Sequence, residues 1–187
     1  NRTPKRIEAF DISNLQGGDA VGSMVSFEDG EPTKERYRHF RIKTVEGADD
    51  YGMMYEVLLR RYRRAVEEND LPDMVLLDGG RGHLNVAQEV FKELGIKGVD
   101  LLSLAKARRG GDHRFHIEKS GEKVFHPQYK EPIILGKQAP LLRFLDRIRD
   151  EAHRFAITYH KKLRKKGMIK SALGEIPGIG KVRQKAL

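Results

Sequence analysis

The sequence contains no cysteine. Without thiols the chain forms neither disulfides nor the thiolate sites that hold zinc or iron–sulfur clusters. No apolar run reaches the ~18–20 residues of a transmembrane helix, and no signal peptide stands at the start. We therefore expect no membrane anchor, and the missing thiols suit a reducing cytoplasm. The chain begins at Asn1 rather than Met, which indicates a piece of a longer protein.

Acidic residues are in deficit, with 27 Asp and Glu against 36 Lys and Arg, for a net charge of +9. A surplus of positive charge favours a polyanionic partner, and nucleic acid is the first candidate. An anionic membrane surface is the competing interpretation, but no basic helix carries the large apolar face of a membrane anchor. The 187 residues suffice for one domain with a true core and a small appendage.

The first half of the chain alternates between strand and helix patterns. Period-2 patterns predict strands over 6–13, 20–28 and 34–42, and short polar connections favour antiparallel pairing of the three. A helix over 50–68 follows, with Asp49 as its N-cap.

Apolar segments continue this alternation in the second half. Residues 74–78, MVLLD, form a short strand of the kind buried inside a sheet. A helix follows over 83–94 and ends at Gly95. The remaining predictions are a strand over 100–107, a hairpin over 114–126 with its turn at Ser120-Gly121, and a long helix over 140–166 ended by Gly167.

Three antiparallel strands followed by helix–strand–helix–strand is the order of a ribonuclease H-like fold. The predicted fold class is therefore α/β, a mixed sheet flanked by helices, over residues 1–167. Residues 168–187 are expected to form a small α-helical tail. In this fold the first and fourth strands lie side by side, so carboxylates at their ends meet at one edge of the sheet.

Two acidic residues occupy such positions. Asp11 interrupts an apolar stretch and needs a hydrogen bond or a metal to offset its desolvation. Asp78 closes a buried strand before two glycines, where open α/β sheets place ligands. Each alone is equally well explained as a turn residue. Together they repel unless a cation lies between them, and hard oxygen ligands suit Mg²⁺ or Mn²⁺.

His153 lies on the long helix at the border of its apolar stripe. It shares a polar flank with Arg149 and Asp150, so it could reach over the sheet edge as a metal ligand or as a general base. A lone helical histidine is more often structural. The stripe itself comprises Leu141, Leu145, Ile148, Ala152, Phe155 and Tyr159.

For other charged residues the sequence gives weaker evidence of a role in catalysis or in phosphate binding. Asp50 and Glu56 are acids near the predicted edge, and we interpret each as a helix cap or part of a solvated face. Lys106 ends a strand near the same edge, where it could neutralise a phosphate or simply extend into solvent. A basic helical face is either solvated or in contact with phosphates, and it comprises Arg60, Arg61, Arg63 and Arg64.

Glycines carry two further motifs. LDGGRG at 77–82 lacks the ending and the spacing of a phosphate-binding P-loop, which disfavours a nucleotide-binding protein. The tail sequence IPGIGKVRQKAL resembles a helix–hairpin–helix element, with a plain glycine turn as the alternative. Such an element would present backbone N–H groups and basic side chains to DNA phosphates. The residues concerned are Gly178, Gly180, Lys181 and Arg183.

Five motifs in this order resemble the C-terminal half of the UvrC family, the incision nucleases of bacterial nucleotide excision repair. They are FDISNLQGG, LLDGGRGHL, LAKAR, IRDEAHRFAITYHKK and IPGIGKVR, and the resemblance covers essentially the whole chain. It implies an endonuclease that makes the 5′ incision beside a lesion in double-stranded DNA. The family's catalytic positions correspond to Asp11, Asp78 and His153, with a further acid at Asp50.

The resemblance also implies partners: UvrB, through a region absent from this chain, and UvrA in the repair complex. Asp11 and Asp78 would hold one Mg²⁺ or Mn²⁺ ion, since a histidine in the third place favours a single metal over the pair common in this fold. The rival hypothesis is a nucleic-acid-binding domain with a catalytically inactive ribonuclease H-like core.

Overall fold

The computed structural model describes residues 3–13, 20–45, 47–106, 121–136 and 139–174. The strands are β1 (Arg6–Ser13), β2 (Val21–Glu28), β3 (Glu31–Pro32), β4 (Arg38–Arg41), β5 (Met74–Asp78), β6 (Asp100–Lys106), β7 (Gly121–Phe125) and β8 (Ile133–Gly136). The helices are a 3₁₀ turn (Lys34–Arg36), α1 (Asp50–Glu67), α2 (Arg81–Glu93) and α3 (Pro140–Gly174). No helix within these ranges is both long and apolar enough to cross a bilayer.

The strands form one mixed sheet in the order β3-β2-β1-β5-β6-β7-β8, with β4 also paired to β2. Strand β1 runs antiparallel to β2 and parallel to β5. Strands β5 and β6 are parallel, and β7 and β8 add antiparallel pairs. The predicted pairing of the first strand with the strand at 74–78 is therefore confirmed.

Each face of the sheet carries its own hydrophobic core, because successive strand side chains point to opposite faces. Helices α1 and α2 cover the face to which Phe10, Val75 and Leu77 belong. Helix α3 covers the other face, to which Ala9 and Leu76 belong. Continuing this alternation by one residue places position 11 of β1 and position 78 of β5 on the α3 face.

The start of α1 follows the prediction. The side chain of Asp49 accepts a hydrogen bond from the Gly52 backbone N–H at 3.0 Å, which satisfies one of the free donors of the first turn. Met54, Leu58, Tyr62 and Ala65 recur at helical spacing and are buried, whereas Tyr51, one turn earlier, is 52% exposed.

The third predicted strand is shorter than expected. Residues Lys34–Arg36 form a 3₁₀ turn, in which Tyr37 N–H donates to the Lys34 carbonyl at 3.1 Å. Only Arg38–Arg41 pairs with β2. The alternating pattern over 34–42 did not distinguish an extended chain from a tight turn, because both leave Tyr37 on the buried side.

Helix α3 corrects two predictions. It does not end at Gly167 but continues to Gly174. A glycine inside a helix costs about 1 kcal/mol relative to alanine, which a long helix absorbs. The apolar stripe begins at Leu142, 2% exposed, rather than at Leu141, 55% exposed. The helix crosses the predicted domain boundary at 167, and the division into two domains stays a prediction.

The predicted hairpin over 114–126 is described only from Gly121 onward. That part is β7, which pairs with β6 and with β8, a strand that the sequence pattern did not predict. Helix α2 begins two residues earlier than predicted, with Gly80 at its N-cap. The hairpin's first arm and the helix–hairpin–helix tail, residues 175–187, lie outside the described residues.

Candidate active site

Two carboxylates meet on the α3 face of the sheet. The parallel register of β1 and β5 pairs Phe10 with Leu77, so the next residues along the two strands are Asp11 and Asp78. Asp11 is 6% exposed, and Asp78 is half-buried. Two strand ends that are far apart in the chain thus bring like charges together at one sheet edge.

The pKa of Asp78 is shifted because this carboxylate is buried and lies near Asp11. Burial, followed by the negative charge of Asp11, raises the pKa of Asp78 above its ordinary value of 3.8. The charges of Arg149, His153 and His83 act in the opposite direction without cancelling the rise. The pair is therefore electrostatically undercompensated, which is the condition that a bound cation relieves.

His153 stands over the same edge from α3. Its Nδ1 lies 3.6 Å from Asp11 Oδ2, and its side chain is 60% exposed. The same Asp11 oxygen accepts a hydrogen bond from Ser13 Oγ at 3.0 Å. The contact with His153 is longer than a hydrogen bond. The ring faces the carboxylates and not the apolar core.

Arg149 is a functional candidate that the sequence interpretation did not single out. It precedes His153 by about one turn of α3, is nearly buried, and pairs with Asp146 at 2.8 Å and with Glu122 of β7 at 3.3 Å. Its charge lowers the pKa of Asp78. The sequence did contain a signal for Arg149, because a spacing of four residues places it on the same face of the helix as His153.

His83, at the start of α2, closes the other side of the site. Its ring packs on Gly79, whose φ is +146°, and a Cβ at that position would lie 2.3 Å from His83 Nδ1. Burial lowers the pKa of His83, while the charges of Asp50 and Asp78 oppose that shift. Asp50 is exposed in the first turn of α1, so it borders the site through His83.

The donor set suits a hard divalent ion. Mg²⁺ keeps several waters and takes one or two protein carboxylates, and Mn²⁺ accepts similar oxygen ligands. Among the side chains that the structure describes, no group of three or more His, Asp or Glu converges tightly enough to hold an ion. The arrangement is thus a two-carboxylate site, Asp11 and Asp78, with His153 beside it.

The basic face of α1 divides into different environments. Arg61 is not on the surface: its guanidinium, 10% exposed, pairs with the fully buried Glu8 at 2.6 Å. This position corrects its interpretation as a DNA contact. Arg63 is exposed, and Arg64 is an exposed residue paired with Glu68 at 2.8 Å.

Glu56 also departs from its interpretation as a cap or solvated residue. It is 7% exposed and accepts hydrogen bonds from the Lys43 and Thr44 backbone N–H groups and from the Thr44 hydroxyl. Arg60 adds a 3.0 Å contact from the next turn. Glu56 therefore anchors the segment before α1 to the helix.

Of the remaining predicted site residues, the structure describes only the backbone of Lys106 and none of those in the tail. Lys106 ends β6 two residues beyond Leu104, which pairs with Asp78, so its backbone lies toward the same edge. Its side chain is outside the described part of the chain. So are the predicted DNA contacts of the tail, Gly178, Gly180, Lys181 and Arg183.

Solved structures share this architecture. A variant of Ciona intestinalis endonuclease V in complex with DNA matches with a TM-score of 0.51, 16% identity, and coverage of 86% of this chain and 87% of that chain. The catalytic domain of human endonuclease V matches with a TM-score of 0.50, 16% identity, and coverage of 87% and 83%. The molecule is a ribonuclease H-like domain, as the order of elements predicted.

Sequence comparison identifies the family. The model of the UvrC RNAse H endonuclease domain matches residues 1–157. UvrABC system protein C of Protochlamydia amoebophila is 53% identical over 98% of this chain, and that of Syntrophotalea carbinolica is 51% identical over 100%. The chain belongs to the UvrC family. It spans 30% and 31% of the length of these two relatives.

Proposed function

We propose that this chain is a metal-dependent endonuclease domain that makes the 5′ incision in nucleotide excision repair. The observation that carries the proposal is the meeting of Asp11 and Asp78 on neighbouring parallel strands, with His153 of α3 at 3.6 Å from Asp11. Membership of the UvrC endonuclease family supports the reaction class. The relatives' name, UvrABC system protein C, supports action in a repair complex with UvrA and UvrB.

Asp11 and Asp78 would hold one Mg²⁺ or Mn²⁺ ion. When bound, such an ion neutralises charge on the phosphate and activates water. The two carboxylates are held in fixed positions, because Asp78 ends β5, Asp11 lies two residues before the end of β1, and the sheet sets the register of these strands. Burial and, after it, repulsion from Asp11 raise the pKa of Asp78, and a cation held between the two carboxylates would relieve that repulsion.

His153 would move the proton. Its Nδ1 faces Asp11, so Nε2 is the ring nitrogen left for the substrate side. We propose that Nε2 accepts a proton from the water whose oxygen bonds to phosphorus, while the phosphodiester P–O bond breaks and the departing oxygen takes a proton from solvent water. The proton role is favoured over direct metal ligation because no three-ligand group forms among the described side chains.

The substrate of the proposed reaction is damaged double-stranded DNA. Phosphate contacts are proposed for the α1 face through Arg60, Arg63 and Arg64, and for the tail through its glycines and basic residues. The net charge of +9 supports a polyanionic substrate. A cytoplasmic location, expected from the sequence, stays a prediction.

The test is an incision assay in the complete repair complex on an end-labelled duplex carrying one lesion, with Mg²⁺ or Mn²⁺ as the only variable ion. Asp11→Asn and Asp78→Asn should abolish the 5′ cut without affecting the 3′ cut. Glu31→Gln is the matched control, because Glu31 is an exposed acid paired with Arg147 at the surface. Near-wild-type 5′ cutting by either site variant would instead favour the inactive DNA-binding domain.

A further inference from the structure

Ser23 of β2 has a buried hydroxyl with no assigned role. The residue is 1% exposed, and its Oγ has no hydrogen-bond partner among the described residues. A polar group left unpaired in the interior loses its hydration without compensation. Such groups are rare in native folds, and a requirement for a ligand or for catalysis is one of the reasons that a fold retains them.

The position of Ser23 indicates which requirement this is. The antiparallel register of β1 and β2 places Ser23 directly opposite Asp11. Directly opposed residues project from the same face, with Cβ atoms about 4.5–5.5 Å apart. The unpaired hydroxyl therefore lies beside the carboxylate that we propose as a metal ligand.

Asp11 can accept another donor. An ionised carboxylate offers about four acceptor positions. One oxygen of Asp11, Oδ2, already accepts from Ser13 Oγ at 3.0 Å and faces His153 at 3.6 Å. Carboxylates that ligate metals are themselves held by hydrogen bonds from surrounding residues. Ser13 supplies one such bond, and Ser23 is placed to supply a second from the neighbouring strand.

We propose that Ser23 is a positioning residue for Asp11, an inference that rests on the proposed function. Its hydroxyl donates to the Asp11 carboxylate when that carboxylate turns to take the divalent ion. The movement requires only rotation of the two side chains about their χ1 bonds between staggered conformers. This bond would pair the Ser23 hydroxyl, which has no partner among the described residues, and would hold Asp11 in the orientation in which it ligates the ion.

Ser26 is a matched control on the same strand. It is 0% exposed, and its Oγ also lacks a partner within the described part of the chain. Ser26 lies three positions after Ser23 on β2, so it projects from the opposite face and lies opposite Glu8. Glu8 is already bonded by Arg61 and Tyr62. Ser26 thus matches Ser23 in type, burial and strand, but not in its neighbour.

The experiment compares Ser23→Ala, Ser26→Ala and Asp11→Asn in the full 187-residue chain. Mn²⁺ binding is measured by the electron paramagnetic resonance signal of the free ion, and thermal unfolding is measured without metal. Ser23→Ala should weaken Mn²⁺ binding about tenfold, the usual effect of removing a residue that supports a metal ligand. Its metal-free Tm should stay the same or rise, since an unpaired hydroxyl is removed. Ser26→Ala should bind Mn²⁺ like wild type.

The outcomes separate this inference from the proposed function. If Asp11→Asn loses Mn²⁺ binding but Ser23→Ala binds as tightly as wild type, the positioning role is wrong and the metal site stands. Equal weakening by Ser23→Ala and Ser26→Ala would show a general effect on β2 and would also refute the role. If wild type and Asp11→Asn bind Mn²⁺ equally or not at all, the metal site itself is wrong.

Discussion

Glu8 and Asp11 lie three residues apart on β1, on opposite faces of the sheet, and both are buried. Glu8 accepts hydrogen bonds from Arg61 Nη2 at 2.6 Å and from the Tyr62 hydroxyl at 3.1 Å. Asp11, in contrast, faces a second carboxylate, Asp78. One strand therefore carries an acid paired with an arginine and an acid set against a second carboxylate.

The surroundings of the two acids extend this contrast. Beside Glu8, burial would raise the pKa of Asp70, but three arginines outweigh it and lower that pKa. Beside Asp11, the pKa of Asp78 is raised by burial and by the neighbouring charge. The two pKa values shift in opposite directions because arginines surround Asp70, whereas Asp78 is buried beside a second carboxylate.

The largest expected effect is on catalysis, from Asp78→Asn. Incision should fall by ~10³-fold or more, equivalent to about 4 kcal/mol of barrier. The fold should become no less stable: because the folded pKa is raised, ionised Asp78 opposes folding at every pH above its unfolded value of 3.8. Thermal unfolding at pH 7 and at pH 3 measures this. A clear loss of stability at pH 7 would contradict the interpretation that ionised Asp78, buried near Asp11, opposes folding.

Removing the arginine that pairs with Glu8 should, in contrast, lower the stability of the fold. Arg61→Ala leaves Glu8 buried without its ion-pair partner and should cost about 3 kcal/mol or more of unfolding free energy. Urea unfolding measures the loss. The exposed neighbour Arg63→Ala is the control and should change stability by less than about 0.5 kcal/mol. A small effect of Arg61→Ala would show that the Arg61–Glu8 ion pair contributes little to stability, and the contrast with Asp11 would fail.

His153→Ala sharpens the comparison at the site. Loss of a general base costs at least ~10²-fold in rate, near 2.7 kcal/mol of barrier. Stability should change little, because the side chain is 60% exposed. Thr158→Ala, exposed more than one turn further along α3, is the control. If His153→Ala also abolishes Mn²⁺ binding, the residue is a ligand and not the proton acceptor.

Glu56 provides a pH test of compensated charge. Burial would raise its pKa, but hydrogen bonds from Thr44, Lys43 and Arg60 outweigh burial and lower it below 4.5. The stabilisation is complete above pH 4.5 and is lost as the pH falls through the lowered folded value. Glu56→Gln should cost about 2 kcal/mol at pH 7, and the difference from wild type should shrink in acid. If the stability difference between Glu56→Gln and wild type stays constant as the pH falls from 7 into acid, the charge of Glu56 does not provide the stabilisation.

The smallest expected effect concerns the tail. Since α3 continues to Gly174, truncation after that residue removes residues 175–187 without cutting the helix. DNA binding should weaken, and the slope of log affinity against log salt should flatten by ~0.9 for each phosphate that the tail would have neutralised. Mn²⁺ binding should be unaffected. An unchanged salt slope would show that the tail does not contact DNA.

Local sequence patterns determined the secondary structure of this protein and the positions of several candidate site residues. The order of elements predicted the fold, because strand and helix periodicities are set by the chain's own backbone geometry. The same pattern placed Asp11 and Asp78 near the carboxyl ends of strands that pair in a ribonuclease H-like sheet, and placed His153 on the polar border of its helix. The cap at Asp49 followed from its side-chain chemistry alone.

Only the tertiary structure decided which charges are compensated. By sequence Arg61 belongs to a basic helical face, but β1 brings Glu8, 53 residues away in the chain, against it. Arg149 and Ser23 acquire their significance in the same way, through strands distant in sequence. A side chain's burial and its electrostatic neighbours depend on long-range packing, which no local period encodes. Residue type and spacing thus predicted where Asp11 and Asp78 would lie, and packing decided which side chains surround each buried acid.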